Sequence, residues 1–243
     1  MFNRVCLIFI YSLSLFYSHL THSGVIVYGT RFIVDSSSKQ ASVVVENTSD
    51  NIYLINVEIR NNVEGGSELI NFNNPDLPEE KTVIVSPNIF VLKGNKSVQF
   101  RVQCVQCELL PNDRETAYYL SVSAIPRGKP SEHDVQLATR STFKLFYRPS
   151  AINKSDSSSA YKKLKLINEH GFLNVYNPTP YYITMTPLTI NYINDISGVM
   201  IPPYSSKKYP WCSKSFKTKD CNVKWGSIDD FGKQLPVISK SVF

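Results

Sequence analysis

Four cysteines lie beyond the first 23 residues, and two of them have a spacing that could do chemistry. Cys104 and Cys107 form a Cys-x-x-Cys motif, which in other proteins is a redox pair or half of a zinc site. A redox pair is expected at the N-terminus of a helix, but this pair follows a segment in which apolar and polar residues alternate. The histidines offer no spacing that would complete a zinc site. We therefore favour a structural disulfide over redox chemistry or metal binding, and we predict no metal site.

Lys144 is a second residue that could do chemistry, because it shares one face of a predicted strand with Phe146. The predicted strand covers Val135–Pro149 and ends at Pro149, since proline lacks the N–H that a β-ladder needs. A lysine on such a face is either solvated or held in a cleft for an anionic ligand. The residues alone leave both interpretations open.

Motifs typical of enzymes are missing from the sequence, which has no Gly-x-Ser-x-Gly elbow, no His-Glu-x-x-His pair and no Walker loop. His133 and His170 lie beside polar turn residues, and we interpret both as surface histidines. The formal net charge is +6 at pH 7, which over a chain of this length we attribute mainly to solubility. We predict no catalytic residue, no cofactor and no nucleic-acid partner. Anionic lipid, acidic polymers or a partner that carries a carboxylate remain open.

The first 23 residues have the pattern of a cleaved secretory signal. Asn3-Arg4 supplies a positive end, and the apolar run Val5–Phe16 is too short to cross a bilayer. Thr21-His22-Ser23 places small residues at the two positions that a signal peptidase reads, so we predict cleavage before Gly24. No later segment is long and apolar enough to anchor the mature chain, so we predict no membrane insertion.

Export exposes the cysteines to an oxidising compartment, where disulfides persist. Removal of the signal takes Cys6 with it, and the four remaining cysteines can pair in three ways. We predict the two local pairs, Cys104–Cys107 and Cys212–Cys221, each within its own half of the chain.

Short strand patterns dominate the rest of the chain, and no stretch of about 12 residues holds a helical period. Roughly seven such patterns separated by turn signals precede Ser150, which predicts an antiparallel, two-sheet sandwich of immunoglobulin type. The serine-rich segment Ser150–Ala160 then predicts a domain boundary, and further short strands between Tyr161 and Trp225 predict a second sandwich. We therefore predict an all-β protein with domains over 24–150 and 161–243, joined by a linker over 151–160.

Six short strings occur in a fixed order across both predicted domains. They are Gly29-Thr30-Arg31, Leu110-Pro111-Asn112-Asp113-Arg114-Glu115, Ala124-Ile125-Pro126, Phe143-Lys144-Leu145-Phe146-Tyr147-Arg148-Pro149, Asn177-Pro178-Thr179-Pro180-Tyr181-Tyr182 and Ile228-Asp229-Asp230-Phe231-Gly232. Together they closely resemble the PapD-like periplasmic pilus chaperones, from about Gly24 to Pro236. The resemblance implies two immunoglobulin-like β-sandwich domains in a boomerang arrangement, with a binding cleft between them.

In that family, an arginine and a lysine at the positions of Arg31 and Lys144 anchor the C-terminal carboxylate of a pilus subunit. Two cations in a partly dry cleft give charge-assisted hydrogen bonds, which are stronger than those of a surface pair. The resemblance also implies that the strand before the anchor fills the gap in an incomplete subunit by donor-strand complementation. The matching apolar positions are Val135 and Leu137, and Thr139 stands where a larger apolar residue is expected.

Three further charged residues, Glu115, Arg148 and Asp230, match a network that fixes the angle between the two domains in that family. Asp229 replaces an asparagine that the pattern has before the aspartate, so either acid could belong to the network. The short connection between Pro126 and Val135 resembles the branch of the family that builds adhesive rod pili.

The resemblance implies a periplasmic chaperone that binds pilus or fimbrial subunits and delivers them to an outer-membrane usher, without a nucleotide. It leaves open which subunits are bound and whether the free protein covers its exposed strand by self-association. Two other hypotheses remain: an exported tandem immunoglobulin-like adhesin or receptor fragment, and a thiol oxidoreductase built on Cys104 and Cys107.

Overall fold

The fold is described from a computed structural model. It describes residues 24–61, 78, 81–128, 136–152, 154–191, 193–196, 198–210, 212 and 221–242. The predicted signal segment and Val135 lie outside the described residues. Within them, no helix is long and apolar enough to cross a membrane.

The first half of the chain forms one continuous sheet of nine strands. The strands are β1 (Val25–Tyr28), β2 (Arg31–Asp35), β3 (Gln40–Asn47), β4 (Ile52–Arg60), β5 (Val83–Ser86), β6 (Ile89–Leu92), β7 (Lys96–Cys104), β8 (Thr116–Arg127) and β9 (Thr139–Arg148). Their order is β5-β7-β3-β2-β9-β8-β4-β6, with β1 also on β3. The sheet closes around a core because period-two alternation in its strands points one set of side chains inward, including Val43, Val45, Phe100 and Val102.

Gly29 separates β1 from β2 and lets the chain change partners. Its φ of +118° is a backbone conformation that residues other than glycine rarely adopt. An added Cβ would lie 3.1 Å from the Phe32 ring. Before this break β1 runs antiparallel to β3, and after it β2 runs parallel to β9. The break therefore brings Arg31, at the start of β2, beside β9.

The second half of the chain forms three smaller sheets around a core of its own. The strands are β10 (Lys165–Glu169), β11 (Phe172–Tyr176), β12 (Ile183–Met185), β13 (Leu188–Ile190), β14 (Ile193–Ile196), β15 (Val199–Ile201), β16 (Ser206–Tyr209), β17 (Cys221–Trp225) and β18 (Ile238–Val242). The sheets are β10-β11-β16, β12-β15 and β14-β13-β17-β18. We call the two halves the first and the second unit.

The segment Lys154–Lys163 joins the two units as a 3₁₀ helix. Part of the predicted linker therefore lies in this 3₁₀ helix, and Ala160 inside it is 1% exposed and belongs to the second core. Tyr161, which the sequence pattern placed in a strand, lies in the 3₁₀ segment, where its carbonyl accepts a hydrogen bond of 3.1 Å from Trp225 Nε1. The indole N–H is thereby satisfied inside the core. The domain limits 24–150 and 161–243 stay a prediction.

Two disulfides lie in the fold, one in each unit. Cys104 at the end of β7 is bonded to Cys107, which opens a short 3₁₀ turn over Cys107–Leu109. Cys212 is bonded to Cys221 at the start of β17. No group of three or more metal-ligating side chains occurs in the part of the chain that the structure describes.

The predicted strand Val135–Pro149 was too long at its start. In the structure β9 begins at Thr139 and ends at Arg148, while Gln136–Ala138 lie outside the strand. Pro149 ends it for the expected reason, since proline cannot donate to the ladder. The alternation that predicted a strand before Thr139 needs a neighbouring strand to become one, and the register of β8 with β9 stops at Ala124 and Thr139.

The two units meet at a small buried cluster, and a buried asparagine of the second unit shapes a loop that reaches this cluster. Ala117, Tyr119 and Phe146 of the first unit pack with Tyr182 and Met200 of the second, and all five are buried. The amide Nδ2 of buried Asn177 donates to three carbonyls of the second unit, those of Tyr181, Ile201 and Pro202. The Asn-Pro-Thr-Pro string therefore has a structural role, since it shapes the loop that carries Tyr181 and Tyr182 to the first unit.

Candidate functional site

Arg31 and Lys144 occupy directly paired positions on the parallel strands β2 and β9. Paired positions put their side chains on the same face of the sheet. Both cations reach the second unit at one hydroxyl, because Lys144 Nζ donates to Thr184 Oγ1 at 3.1 Å and Arg31 Nη2 to the same atom at 3.5 Å. Arg31 Nη1 also donates to the carbonyl oxygen of Ile228 at 3.1 Å. We call Arg31 and Lys144 the anchor pair.

The electrostatics of the anchor pair favour a bound anion. Burial, with the charge of Arg31 second, lowers the pKa of Lys144 to about 8. Burial also lowers the pKa of Arg31, against the attraction of more distant acids that include Glu115 and Asp230. Among the described residues, neither cation forms an ion pair with a carboxylate. Two adjacent cations, both partly withdrawn from water, therefore lack the anion that would compensate them, and a carboxylate could accept hydrogen bonds from both.

The aromatic surroundings hold Arg31 in place. Its guanidinium lies 5.3 Å from the centre of the Phe146 ring, and the Phe146 ring lies 5.5 Å from that of Tyr182. A guanidinium over a ring face gains a cation–π attraction that an ammonium on a flexible stem exploits less well. The arginine is therefore fixed from the first unit by Phe146 and from the second by the Ile228 carbonyl.

Glu115, Arg148 and Asp230 form one ion-pair network at the junction of the units. Arg148 Nε donates to Glu115 Oε1 at 2.8 Å, and its two terminal nitrogens donate to the oxygens of Asp230 at 2.6 and 2.9 Å. The second oxygen of Glu115 accepts the backbone N–H of Tyr182 at 2.8 Å. Asp230 also accepts a hydrogen bond of 3.2 Å from Ser157 Oγ in the joining segment. The network thus ties together the first unit, the second unit and the segment between them.

Burial dominates the electrostatics of this network. The side chains of Arg148 and Glu115 are 4% and 3% exposed, while that of Asp230 is 23% exposed. Burial raises the pKa of Glu115, and the charge of Arg148 and the Tyr182 N–H oppose that rise. Burial disfavours the charge on Arg148, but the hydrogen bond and charge of Asp230, together with those of Glu115, outweigh it and raise the pKa of Arg148. A buried network of this kind fixes geometry more reliably than it adds net stability.

Asp229 is separate from the network. Its Oδ1 accepts the backbone N–H groups of Phe231 and Lys233 at 2.9 and 2.8 Å, so it closes its own turn. The acid that pairs with Arg148 is therefore Asp230, which the sequence alone left open between the two neighbours.

The three positions predicted to fill a subunit precede Lys144 in the chain. Leu137 is 73% exposed, so its side chain does not pack inside its own sandwich. Thr139 is the first residue of β9 and is exposed. Val135 lies outside the described residues.

The edge of β9 before Lys144 is open in the described part of the structure. Residues Thr139–Phe143 pair with β8 on one side, while on the other side β2 joins only from Lys144 onward. An added strand on this open edge could continue the line of β2 and run parallel to β9. Its C-terminal end would then arrive at the anchor pair.

Sequence reasoning missed Thr184 and Ile228 as partners of the anchor pair. Thr184 follows the Asn-Pro-Thr-Pro-Tyr-Tyr string by two residues, and Ile228 opens the Ile-Asp-Asp-Phe-Gly string. Both strings therefore mark segments that the second unit presents to the first. Which atom in them meets a cation depends on how the units dock, and no local pattern reports that.

Comparisons with known proteins cover nearly all of the chain beyond residue 23. Residues 24–153 match the family described as "Pili and flagellar-assembly chaperone, PapD N-terminal domain". Residues 159–238 match the family "Pili assembly chaperone PapD, C-terminal domain".

Individual relatives give the same result. An uncharacterised fimbrial chaperone of Escherichia coli (strain K12), YcbF, is 32% identical over 232 residues, covering 95% of this chain and 93% of that protein. The chaperone protein FimC of the same strain is 30% identical over 220 residues, covering 88% and 83%. The crystal structure of the E. coli chaperone DraB superposes with a TM-score of 0.70 at 25% identity, over 90% of this chain and 97% of that one. The predicted all-β fold with two immunoglobulin-like sandwiches is confirmed.

Proposed function

Because this chain belongs to the PapD family of pilus-assembly chaperones and serves pilus subunits, we propose that it holds a subunit at the anchor pair and lends it a strand. The anchor pair binds the C-terminal carboxylate of the subunit. The chain segment before it, with Val135, Leu137 and Thr139, fills the open groove of the subunit.

The observation that carries this proposal is the position of the anchor pair at the end of an open strand edge. Arg31 and Lys144 are paired cations without a carboxylate partner among the described residues, and the free edge of β9 leads directly to them. A subunit strand on that edge gains backbone hydrogen bonds along its length and an ion pair at its end. The fixed terminus sets the register, so each side chain of the subunit strand meets a defined position of β9.

Leu137 supports the strand-lending half of the proposal. A leucine that is 73% exposed leaves most of its apolar surface in contact with water, and a partner could bury that surface. Burying such a side chain in a subunit contributes about 1.5–3 kcal/mol. Thr139 contributes less, since its hydroxyl loses water on burial unless it finds a partner.

The cellular setting extends this proposal. Fimbrial chaperones act in the periplasm, and the pattern of the first 23 residues fits export through a cleaved signal. In our proposal the chaperone then delivers the subunit to an outer-membrane usher, where the lent strand is exchanged for an extension of the next subunit. No cofactor or nucleotide takes part.

Co-expression with a histidine-tagged pilus subunit tests the proposal. We expect Arg31→Ala and Lys144→Ala chaperones to be soluble and folded but absent from the subunit pull-down. Arg101→Ala and Lys224→Ala are matched controls, because both remove an exposed cation from a strand outside the site. If either anchor variant is recovered with the subunit at the wild-type yield, the proposal fails.

A further inference from the structure

Phe231 is the most exposed of the large apolar side chains in the described structure, with 95% of its surface accessible. Single exposed apolar residues are common and usually need no explanation. This one differs because the turn that carries it is fixed at several points. Asp229 Oδ1 accepts the N–H of Phe231, and the N–H of Gly232 donates to the carbonyl of Asp229 at 3.1 Å.

The same turn is fastened to the first unit on both sides of Phe231. Asp230, immediately before it, is held by two nitrogens of Arg148 at 2.6 and 2.9 Å. Gly232, immediately after it, has a φ of +84°, and a Cβ there would lie 2.4 Å from Thr30 Oγ1. Only a glycine allows this close approach, so the turn rests directly on Thr30. The aromatic ring therefore projects from a backbone that is already ordered.

This position is adjacent to the anchor pair. Thr30 precedes Arg31 in the chain, and Arg31 Nη1 donates to Ile228 at the start of the same turn at 3.1 Å. Consecutive Cα atoms are about 3.8 Å apart, so the Cα of Phe231 is that distance from Gly232, which contacts Thr30. The turn thus borders the point where β2 begins and where the open edge of β9 ends.

From this arrangement we propose that Phe231 is a specificity-determining contact for the last side chain of the bound subunit. The inference rests on the proposed function, because it assumes that the subunit terminus lies at the anchor pair. A strand in line with β2 brings its final residue against Thr30 and the adjoining turn, so an aromatic or large aliphatic final side chain packs on the Phe231 ring. The ordered turn lowers the entropic cost of that contact. The anchor pair binds any C-terminal carboxylate, and Phe231 selects the residue that carries it.

Synthetic peptides separate the two recognition elements. We would use a fluorescent 15-residue peptide in which valine alternates with serine and lysine, with a free carboxylate and either tyrosine or alanine at its end. A third peptide has the tyrosine end as an amide. Fluorescence anisotropy should show that the wild-type protein prefers tyrosine over alanine by about tenfold, the ratio that 1.4 kcal/mol represents. Phe231→Ala should remove that preference and leave binding of the alanine-ended peptide unchanged.

Two controls make the result specific. Phe172→Ala removes another exposed phenylalanine, 47% accessible, from β11 of the second unit, and should leave the preference intact. Phe231→Leu keeps an apolar contact and should retain part of it. If the wild-type protein lacks the preference, or if Phe231→Ala keeps it, the inference is wrong while the proposed function stands. Equal binding of the free acid and the amide by the wild-type protein would instead overturn the proposed function.

Discussion

Arg31 stands directly opposite Lys144 where β2 joins β9 in parallel, and both side chains reach the hydroxyl of Thr184 on the second unit. Like charges at paired positions of neighbouring strands repel, and burial adds to the free-energy cost of keeping each residue charged. The fold therefore keeps two cations together in a state that an incoming carboxylate relieves. In our proposal, this detail of strand register creates the site that binds the C-terminus of a subunit.

Subunit binding should weaken as the pH rises through about 8. The pKa of Lys144 in the free protein is lowered to about 8, and a bound carboxylate raises it by favouring the charged amine. Below pH 8 the lysine is charged in both states, so affinity is constant. Above pH 8 the free protein must take up a proton to bind, and the affinity for the free-acid peptide falls by up to about tenfold per pH unit. Anisotropy titrations between pH 6.5 and 9.5 measure this.

The control for the pH experiment is Lys144→Arg, whose guanidinium stays charged throughout this range. If it binds at all, it should do so without a loss between pH 8 and 9.5. A wild-type affinity that stays flat across the whole range would contradict the assignment of Lys144 to the carboxylate site.

Removing Arg148 should destabilise the protein strongly. Arg148→Met leaves the carboxylate of Glu115 buried without its cation, which typically costs about 3–5 kcal/mol of unfolding free energy. Asp230→Asn should cost less, because the Asp230 side chain is 23% exposed and water can replace part of the lost pairing. Urea unfolding, followed by circular dichroism, ranks the variants.

Arg60→Met is the matched control for that ranking. Arg60 pairs with Glu58 at 2.7 Å on the surface, where the two side chains are 27% and 43% exposed. Exposed pairs contribute about 0–1 kcal/mol, so the variant should unfold near the wild-type midpoint. Equal destabilisation by Arg60→Met and Arg148→Met would show that burial of the network does not determine the loss of unfolding free energy.

Changes at Leu137 and Thr139 should shift subunit affinity in opposite directions. Leu137→Ala removes apolar surface from the lent strand and should weaken binding by roughly 1.5–3 kcal/mol. Thr139→Ile adds apolar surface at the least apolar of the three positions proposed to fill the subunit, and should strengthen binding by about 1 kcal/mol. Both side chains are exposed in the free protein, so the unfolding midpoint should barely move. Calorimetric titration with a purified subunit gives both values.

Thr142→Ile serves as the comparison, since Thr142 is exposed on β9 with the opposite parity. It should not strengthen binding, because its side chain points away from the face that Thr139 presents. Equal gains from both substitutions would argue against strand lending in this register.

The Cys104–Cys107 disulfide should contribute stability and no redox activity. Its closed loop is short, with a sequence separation of 3, so chain-entropy arguments give about 2 kcal/mol of stabilisation. Cys104→Ser/Cys107→Ser should lower the unfolding free energy by that amount and still bind subunits. Loss of subunit binding in a folded double variant would support the thiol oxidoreductase hypothesis instead.

Much of the fold could be predicted from the sequence because alternation is a local property. Apolar and polar residues alternate over Ile52–Arg60 in the sequence, and β4 has these same limits. The predicted start of β9 was wrong, because residues 136–138 have no partner strand with which to form a ladder. Local alternation does not report the break between β1 and β2 at Gly29, since the positive φ of Gly29 accompanies the change of partner strand.

The sequence by itself determined the all-β class, the two sandwiches and the residue types of the anchor pair. Only the tertiary structure decided which atoms meet across the units. Arg31 and Ile228 are 197 positions apart, and their hydrogen bond depends on how two separate cores dock. The same docking selects Asp230 rather than Asp229 for Arg148 and places Gly232, the neighbour of Phe231, against Thr30. Local propensity acts over a few residues, whereas these contacts depend on the packing of Ala117, Tyr119, Phe146, Tyr182 and Met200 between the units.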